Sequence, residues 1–280
     1  MIITDNFVWW HLAKTGGTKT QKLIHKTLDT YKLGGIVFEH GSIDHQKHTN
    51  IVPCKHTVDP FLVRYHKLSA NPNTSLPSSV HLPDFTKKLI HVIGFRKLPG
   101  FLKSHIIHAT TIGLYQYKGG ENQKLIEIKE VYDWAKQKCS EGKIFLPEYA
   151  WDIPFLQNHN KYHTDPKEIE SIIEIWTKEK NWIGVDNFLM SYLENMTDPH
   201  FLRMEFLLQD FYDFILELYC IEASQILGDI QQVSAPTKHK LVKHKGGFID
   251  FNFTEKETEQ MYKNCPQWKK IEDEIYDNKR

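Results

Sequence analysis

The chain lacks an excess of charge of either sign, with 35 Lys+Arg against 35 Asp+Glu over 280 residues. Its sequence pI near 7.3 disfavours a broad polyanion-binding surface, because proteins with such surfaces carry a clear surplus of Lys and Arg. A local basic pocket is still compatible with this balance. Apolar residues make up 40% and aromatic residues 12%, which excludes a disordered or low-complexity chain. The length suffices to bury a large core, and we predict a single domain over residues 1–280.

Long apolar runs are also missing, so the sequence predicts no membrane-spanning helix. The first residues lack a basic segment followed by an apolar one, and we expect no signal peptide. The four cysteines are far apart and form no CxxC pair, which favours reduced thiols and a cytoplasmic location. No set of His, Cys, Asp and Glu has the spacing of metal ligands, so no metal is expected, nor is a nucleic-acid partner.

Segments typical of strands alternate with segments typical of helices, which predicts a three-layer α/β/α domain with a central parallel sheet. The predicted strands cover residues 7–12, 35–39, 89–95 and 201–204. The predicted helices cover residues 18–28, 125–139, 165–176 and 208–218, with two more that begin at Thr254 and Pro266. Residues 46–85 contain five of the twelve prolines and predict a loop-rich excursion, which would serve as a flap on the substrate side.

A glycine turn between the first strand and the first helix is the most informative stretch. It reads Lys14-Thr15-Gly16-Gly17-Thr18, followed by Lys19. Two glycines let the backbone turn tightly, and the N–H groups at a helix N-terminus then converge on an anion. Lys14 adds a full positive charge, and the threonines add hydroxyl donors. The pattern is not a Walker A loop, in which the lysine follows the glycines.

A second candidate anion site follows the strand predicted at residues 89–95. Arg96 stands at the carboxyl end of that strand, where its planar guanidinium suits a phosphate. Pro99 favours a helix start just after it, and Ser104 lies one to two turns into that helix.

The K-T-G-G-T loop after an apolar strand resembles the 5′-phosphosulfate loop of sulfotransferases that use 3′-phosphoadenosine 5′-phosphosulfate (PAPS). Its form is similar to that of carbohydrate sulfotransferases, including the heparan 2-O and 6-O types, although Ala13 replaces their usual proline. Arg96 and Ser104 resemble the family's 3′-phosphate motif, with Pro99 three residues after the arginine instead of two. The resemblance implies a P-loop-like sulfotransferase fold.

Weaker matches extend this resemblance along the chain. Residues 203–211, which read R-M-E-F-L-L-Q-D-F, look like the family's strand ending in Arg-x-Glu-x-Leu and then Asp-Phe. The lysines of residues 238–245 fall where sulfotransferases place a basic loop over the nucleotide, so Lys245 and Gly246 are carried over as nucleotide contacts.

The implied reaction moves a sulfuryl group from PAPS to a hydroxyl, most naturally of a sugar or glycan, and leaves 3′,5′-adenosine bisphosphate. Lys14 would stabilise the leaving phosphate. His40 is the preferred base, because it follows the second predicted strand and begins a His-x-Ser sequence that resembles the family's. The alternatives for the base are His11, His45, His56 and Glu205.

Two other functions stay open at this level. One is a nucleotide-dependent kinase of the P-loop class, which would need a Walker A loop and a magnesium-holding aspartate that the sequence does not display. The other is a non-catalytic protein of the same fold that binds a nucleotide without turnover.

Overall fold

The computed structural model describes residues 2–12, 15–31, 33, 35–37, 88–115, 133–145, 178–179, 182–194, 196–220 and 252–277. The chain divides into two compact units. Unit 1 comprises Met1–Arg96 and Ser191–Thr237, and unit 2 comprises Lys97–Met190 and Lys238–Arg280. The single domain over residues 1–280 stays a prediction.

Seven strands and seven helices are described in these residues. The strands are β1 (Ile2–Thr4), β2 (Phe7–Trp10), β3 (Gly35–Val37), β4 (Ile90–Phe95), β5 (Lys143–Phe145), β6 (Trp182–Gly184) and β7 (His200–Arg203). The helices are α1 (Gly17–Thr30), α2 (Leu98–Tyr115), α3 (133–140), α4 (Val185–Leu193), α5 (Leu207–Tyr219), α6 (Glu255–Asn264) and α7 (Pro266–Asp277), with a 3₁₀ turn at Met204–Phe206. Within the described ranges no helix is both long and apolar enough to cross a membrane. The predicted helix at 165–176 and the excursion at 46–85 lie outside the described residues.

Unit 1 contains a five-stranded sheet with the strand order β3-β1-β2-β4-β7. Strands β2, β4 and β7 are parallel, with Trp9 beside Val92 and Val92 beside His200. The prediction of an α/β protein with a central parallel sheet is therefore confirmed for these three strands. The whole sheet is mixed, because β1 runs antiparallel to both β2 and β3.

Strand β1 is absent from the sequence prediction, and a tight turn explains why it forms. The Thr4 hydroxyl donates to the Phe7 carbonyl at 3.0 Å and accepts the Phe7 and Asn6 N–H groups at 2.9 and 3.2 Å. These bonds close an Asp-Asn turn that brings β1 back against β2. Because β2 is consequently paired on both sides, it lies inside the sheet.

Helices α1 and α5 contribute the apolar core on one face of this sheet. Phe7 and Trp9 of β2 and Val92 of β4 belong to one buried cluster with side chains of both helices. The helical members are Leu23, Ile24 and Leu28 of α1 and Leu207, Phe211, Phe214 and Ile215 of α5. The alternate residues Val8 and Ile93 are buried as well. Burial of both faces accounts for the nearly continuous apolar runs of β2 and β4.

Unit 2 is organised around the last two helices, both of which the sequence predicts. Thr254 and Glu257 form the expected capping box at the start of α6, and α7 begins at Pro266. Trp268 is fully buried, with its ring 4.4 Å from that of Phe101. The antiparallel pair of β5 and β6 is not predicted, since strands of three residues are too short to display a period of two.

A buried carboxylate joins the helices of unit 2. Glu272 Oε2 accepts the backbone N–H of Leu98 at 2.9 Å, and Oε1 accepts the Tyr262 hydroxyl at 2.7 Å. Burial raises the pKa of Glu272 above its usual value of 4.5, although these two hydrogen bonds and the charge of Lys97 act in the opposite direction. The group therefore holds its proton more strongly in the folded protein than in the unfolded chain.

This raised pKa predicts a pH dependence of stability. The contribution of Glu272 to the free energy of unfolding is fully present below pH 4.5 and is lost as pH rises through the raised pKa. Glu272→Gln is expected to remove this part of the slope. Urea unfolding between pH 4 and about 7 measures the slope, with exposed Glu274→Gln on the same helix as the control. Equal slopes for wild type and Glu272→Gln would contradict the assignment.

Candidate functional site

The turn between β2 and α1 has the backbone form that the glycines predict. Gly16 has φ 83°, in the left-handed region, and Gly17 is the first residue of α1. The Gly16 carbonyl accepts the N–H groups of Lys19 and Thr20 at 2.9 and 3.0 Å. The N-cap residue Gly16 makes no side-chain capping bond, and the first turn of α1 contains no acidic residue. Since the first N–H groups of a helix have no intrahelical acceptor, this end of α1 suits an anion.

Both glycines of the turn are in close contact with side chains. A Cβ on Gly16 would collide with Met204 Sδ and would lie 3.4 Å from Leu207 Cδ2. A Cβ on Gly17 would collide with the imidazole of His11, which stacks on Trp9 with ring centroids 5.2 Å apart. A Cβ at either position would therefore displace a neighbouring side chain, and the left-handed φ favours glycine at Gly16 as well.

Thr15 connects the turn to the neighbouring strand. Its hydroxyl donates to the Leu12 carbonyl at 2.8 Å, and its side chain is buried. A Cβ on Gly94 of β4 would lie 2.7 Å from both the carbonyl and the hydroxyl oxygen of Thr15. In this structure the hydroxyl proton of Thr15 is thus donated within the turn. The role of Thr15 as a donor to a phosphate stays a prediction.

The second motif begins where the sequence places it. Strand β4 ends at Phe95, and half-buried Arg96 follows directly. Since β2 and β4 are parallel neighbours, Arg96 stands at the same sheet edge as the Gly16 turn. Ser104 is a half-buried residue of α2 and belongs to unit 2, so its relation to Arg96 stays a prediction.

Several predicted site residues lie outside the described residues: Lys14, His40, Lys245 and Gly246, together with the alternative bases His45 and His56. Their roles stay predictions. Thr18 and Lys19 lie in the first turn of α1, where Lys19 is half-buried and only the backbone of Thr18 is described. Glu205 is exposed in the turn after β7, and His11 is half-buried against Gly17.

Arg203 at the end of β7 has a role that the sequence does not predict. Its backbone N–H and its guanidinium both donate to the carboxylate of Asp210 on α5. The spacing of seven residues in the motif at 203–211 was a signal for this pair, but such spacing does not by itself show that the two side chains meet. Within the described ranges there is no group of three His, Cys, Asp or Glu residues that could hold a metal ion.

Unit 1 is thus an α/β arrangement in which α1, with glycine as its N-cap residue, begins at the carboxyl edge of parallel strands. No protein-family model, no curated protein and no solved structure matches the chain.

Proposed function

We propose that the protein is a PAPS-dependent sulfotransferase that transfers a sulfuryl group to a hydroxyl, most plausibly of a carbohydrate. One observation supports this above the others. The N-terminus of α1, whose N-cap residue Gly16 is in the left-handed conformation, follows the strand beside the one whose end bears Arg96. Two anion-binding features next to each other on one sheet edge suit a donor that carries a 5′-phosphosulfate and a 3′-phosphate.

The proposed roles follow from the charges that develop in the reaction. The acceptor oxygen forms a bond to sulfur while the bond between sulfur and the bridging phosphate oxygen breaks. His40 takes the hydroxyl proton, and Lys14 neutralises the charge that appears on the leaving phosphate. The N–H groups at the start of α1 hold the phosphate, so the contribution of the protein is chiefly positioning and electrostatic stabilisation.

The carbohydrate acceptor rests on the resemblance of the K-T-G-G-T loop to that of carbohydrate sulfotransferases. The excursion at residues 46–85 is the part of the chain that we assign to acceptor recognition.

Calorimetric titration with 3′,5′-adenosine bisphosphate, and separately with ATP–Mg, tests the donor site. The bisphosphate is expected to bind, and Arg96→Gln is expected to weaken its Kd about tenfold or more through loss of charge-assisted hydrogen bonds. Lys97→Gln is the matched control, because exposed Lys97 is the next residue and lies over the Tyr276 ring.

Transfer of radiolabelled sulfate from PAPS to a panel of glycans then tests turnover. Binding of ATP–Mg alone would favour the kinase and overturn the proposal. Binding of the bisphosphate without sulfate transfer to any hydroxyl acceptor would indicate the non-catalytic nucleotide-binding protein.

A further inference from the structure

A buried ion pair closes the turn that follows β7. Asp210 Oδ2 accepts the backbone N–H of Arg203 at 2.8 Å and its Nε at 2.9 Å, and Oδ1 accepts Nη2 at 2.7 Å. Asp210 is 1% exposed and the Arg203 side chain 12% exposed. These three bonds tie the last residue of β7 to the first turn of α5. The chain between them, which includes the 3₁₀ turn Met204–Phe206, is therefore held at both ends.

The restrained turn lies against the anion loop. Met204 Sδ occupies the space beside Gly16 where another residue would have its Cβ, and Leu207 Cδ2 would be in van der Waals contact with that Cβ at 3.4 Å. Gly16 is the residue from which α1 begins, and its carbonyl accepts two N–H groups of the first turn. The position of Met204 and Leu207 consequently limits where the loop and the start of α1 can lie.

Arg203 itself is poorly suited to bind a phosphate. Its bidentate contact with Asp210 neutralises its charge, and its guanidinium also lies 4.6 Å from the centre of the Phe206 ring. An ion pair of this kind contributes to stability in any fold. Here Met204 and Leu207, which lie between Arg203 and Asp210 in the chain, also pack beside Gly16, so the pair affects the position of the anion loop.

We propose that Arg203 and Asp210 are positioning residues for the anion loop, acting through Met204 and Leu207 on Gly16. As a statement about nucleotide affinity this rests on the proposed function. As a statement about loop order it does not. In neither case do the two residues touch the donor.

Hydrogen–deuterium exchange of the nucleotide-free protein is the first test. Asp210→Asn is expected to speed exchange of the amides of Lys19 and Thr20, which bond the Gly16 carbonyl, about tenfold, with little change in β4. Asp213→Asn is the matched control, because Asp213 is exposed on the same helix and bonds only Gln209 among the described residues. A purely structural role would raise exchange throughout unit 1, and that outcome, or unchanged exchange at Lys19 and Thr20, overturns the proposal.

Met204→Ala separates the loop contact from the ion pair and keeps the test decisive if Asp210→Asn does not fold. This variant is expected to speed exchange at Lys19 and Thr20 to a similar degree. Both variants are expected to weaken the Kd for 3′,5′-adenosine bisphosphate about tenfold, and the double variant no further, since both act through one contact. If the effects of the two substitutions on this Kd are fully additive in the double variant, the ion pair does not act through Met204, and the proposal is overturned. If the wild type binds no bisphosphate, the proposed function fails, and the exchange result alone supports or overturns the positioning role.

Discussion

Gly94→Ala is expected to destabilise the protein by about 2 kcal/mol and to weaken nucleotide binding at least tenfold. The added Cβ would lie 2.7 Å from the backbone carbonyl oxygen of Thr15, closer than a Cβ atom approaches oxygen in folded proteins. Strand β4 is paired on both sides, so the strand cannot withdraw without loss of its neighbours. The strain therefore falls on the Thr15–Gly16 turn, which is the proposed phosphate site.

The direction of this effect makes Gly94→Ala informative. Alanine in place of glycine inside a strand ordinarily stabilises by about 0.5–1 kcal/mol, because it reduces the entropy of the unfolded chain. Gly184→Ala in β6 is the matched control, since the nearest atom to its Cβ is the end of the exposed Asn187 side chain, at 3.3 Å. Urea unfolding and calorimetric titration measure both variants. Equal stability of the two would show that Thr15 does not approach β4 in this way.

Lys14→Ala is expected to lower kcat for sulfuryl transfer about a hundredfold or more, with a smaller loss of nucleotide affinity. The reason is that the charge on the leaving phosphate develops only as the bond to sulfur breaks. An ammonium group at that oxygen consequently stabilises the transition state more than the bound donor. Single-turnover rates with radiolabelled PAPS, beside the Kd for the bisphosphate, separate the two effects.

Lys22→Ala is the control for this experiment, because Lys22 is an exposed lysine of α1, eight residues further along the chain. His40→Ala is the complementary variant, and it is expected to keep nucleotide affinity and lose turnover. If Lys14→Ala lowers affinity and kcat equally, the lysine contributes binding alone. If His40→Ala turns over normally, the base is another group, with Glu205 next in order.

Local signals in the sequence account for the elements that were predicted correctly. Three patterns reflect interactions between residues that are close in the sequence. They are the apolar run before K-T-G-G-T, the glycine pair and the apolar face of residues 18–28. They predict a strand, a turn and a helix, and the structure contains β2, the Gly16 turn and α1. The capping box at Thr254 and the proline at 266 are signals of the same kind.

Contacts between distant segments account for what was missed. The N-terminus of α7 is held by Asp186 of α4, which accepts the N–H groups of Gln267 and Trp268 at 2.9 and 3.0 Å. No pattern in either segment indicates this bond. Strand β1 is a comparable case, because three residues acquire strand geometry only through their partners β2 and β3.

The sequence by itself determined the strand–glycine turn–helix unit, the arginine after β4 and the neutral overall charge, because these depend on residue identity and local spacing. The tertiary structure alone decided that β2, β4 and β7 are parallel neighbours, that Thr15 packs on Gly94 and that Met204 lies against Gly16. The contacts of Thr15 with Gly94 and of Met204 with Gly16 join residues that are far apart in the chain. The free energy that selects them comes from burial of the whole core, and no short stretch of sequence contains it.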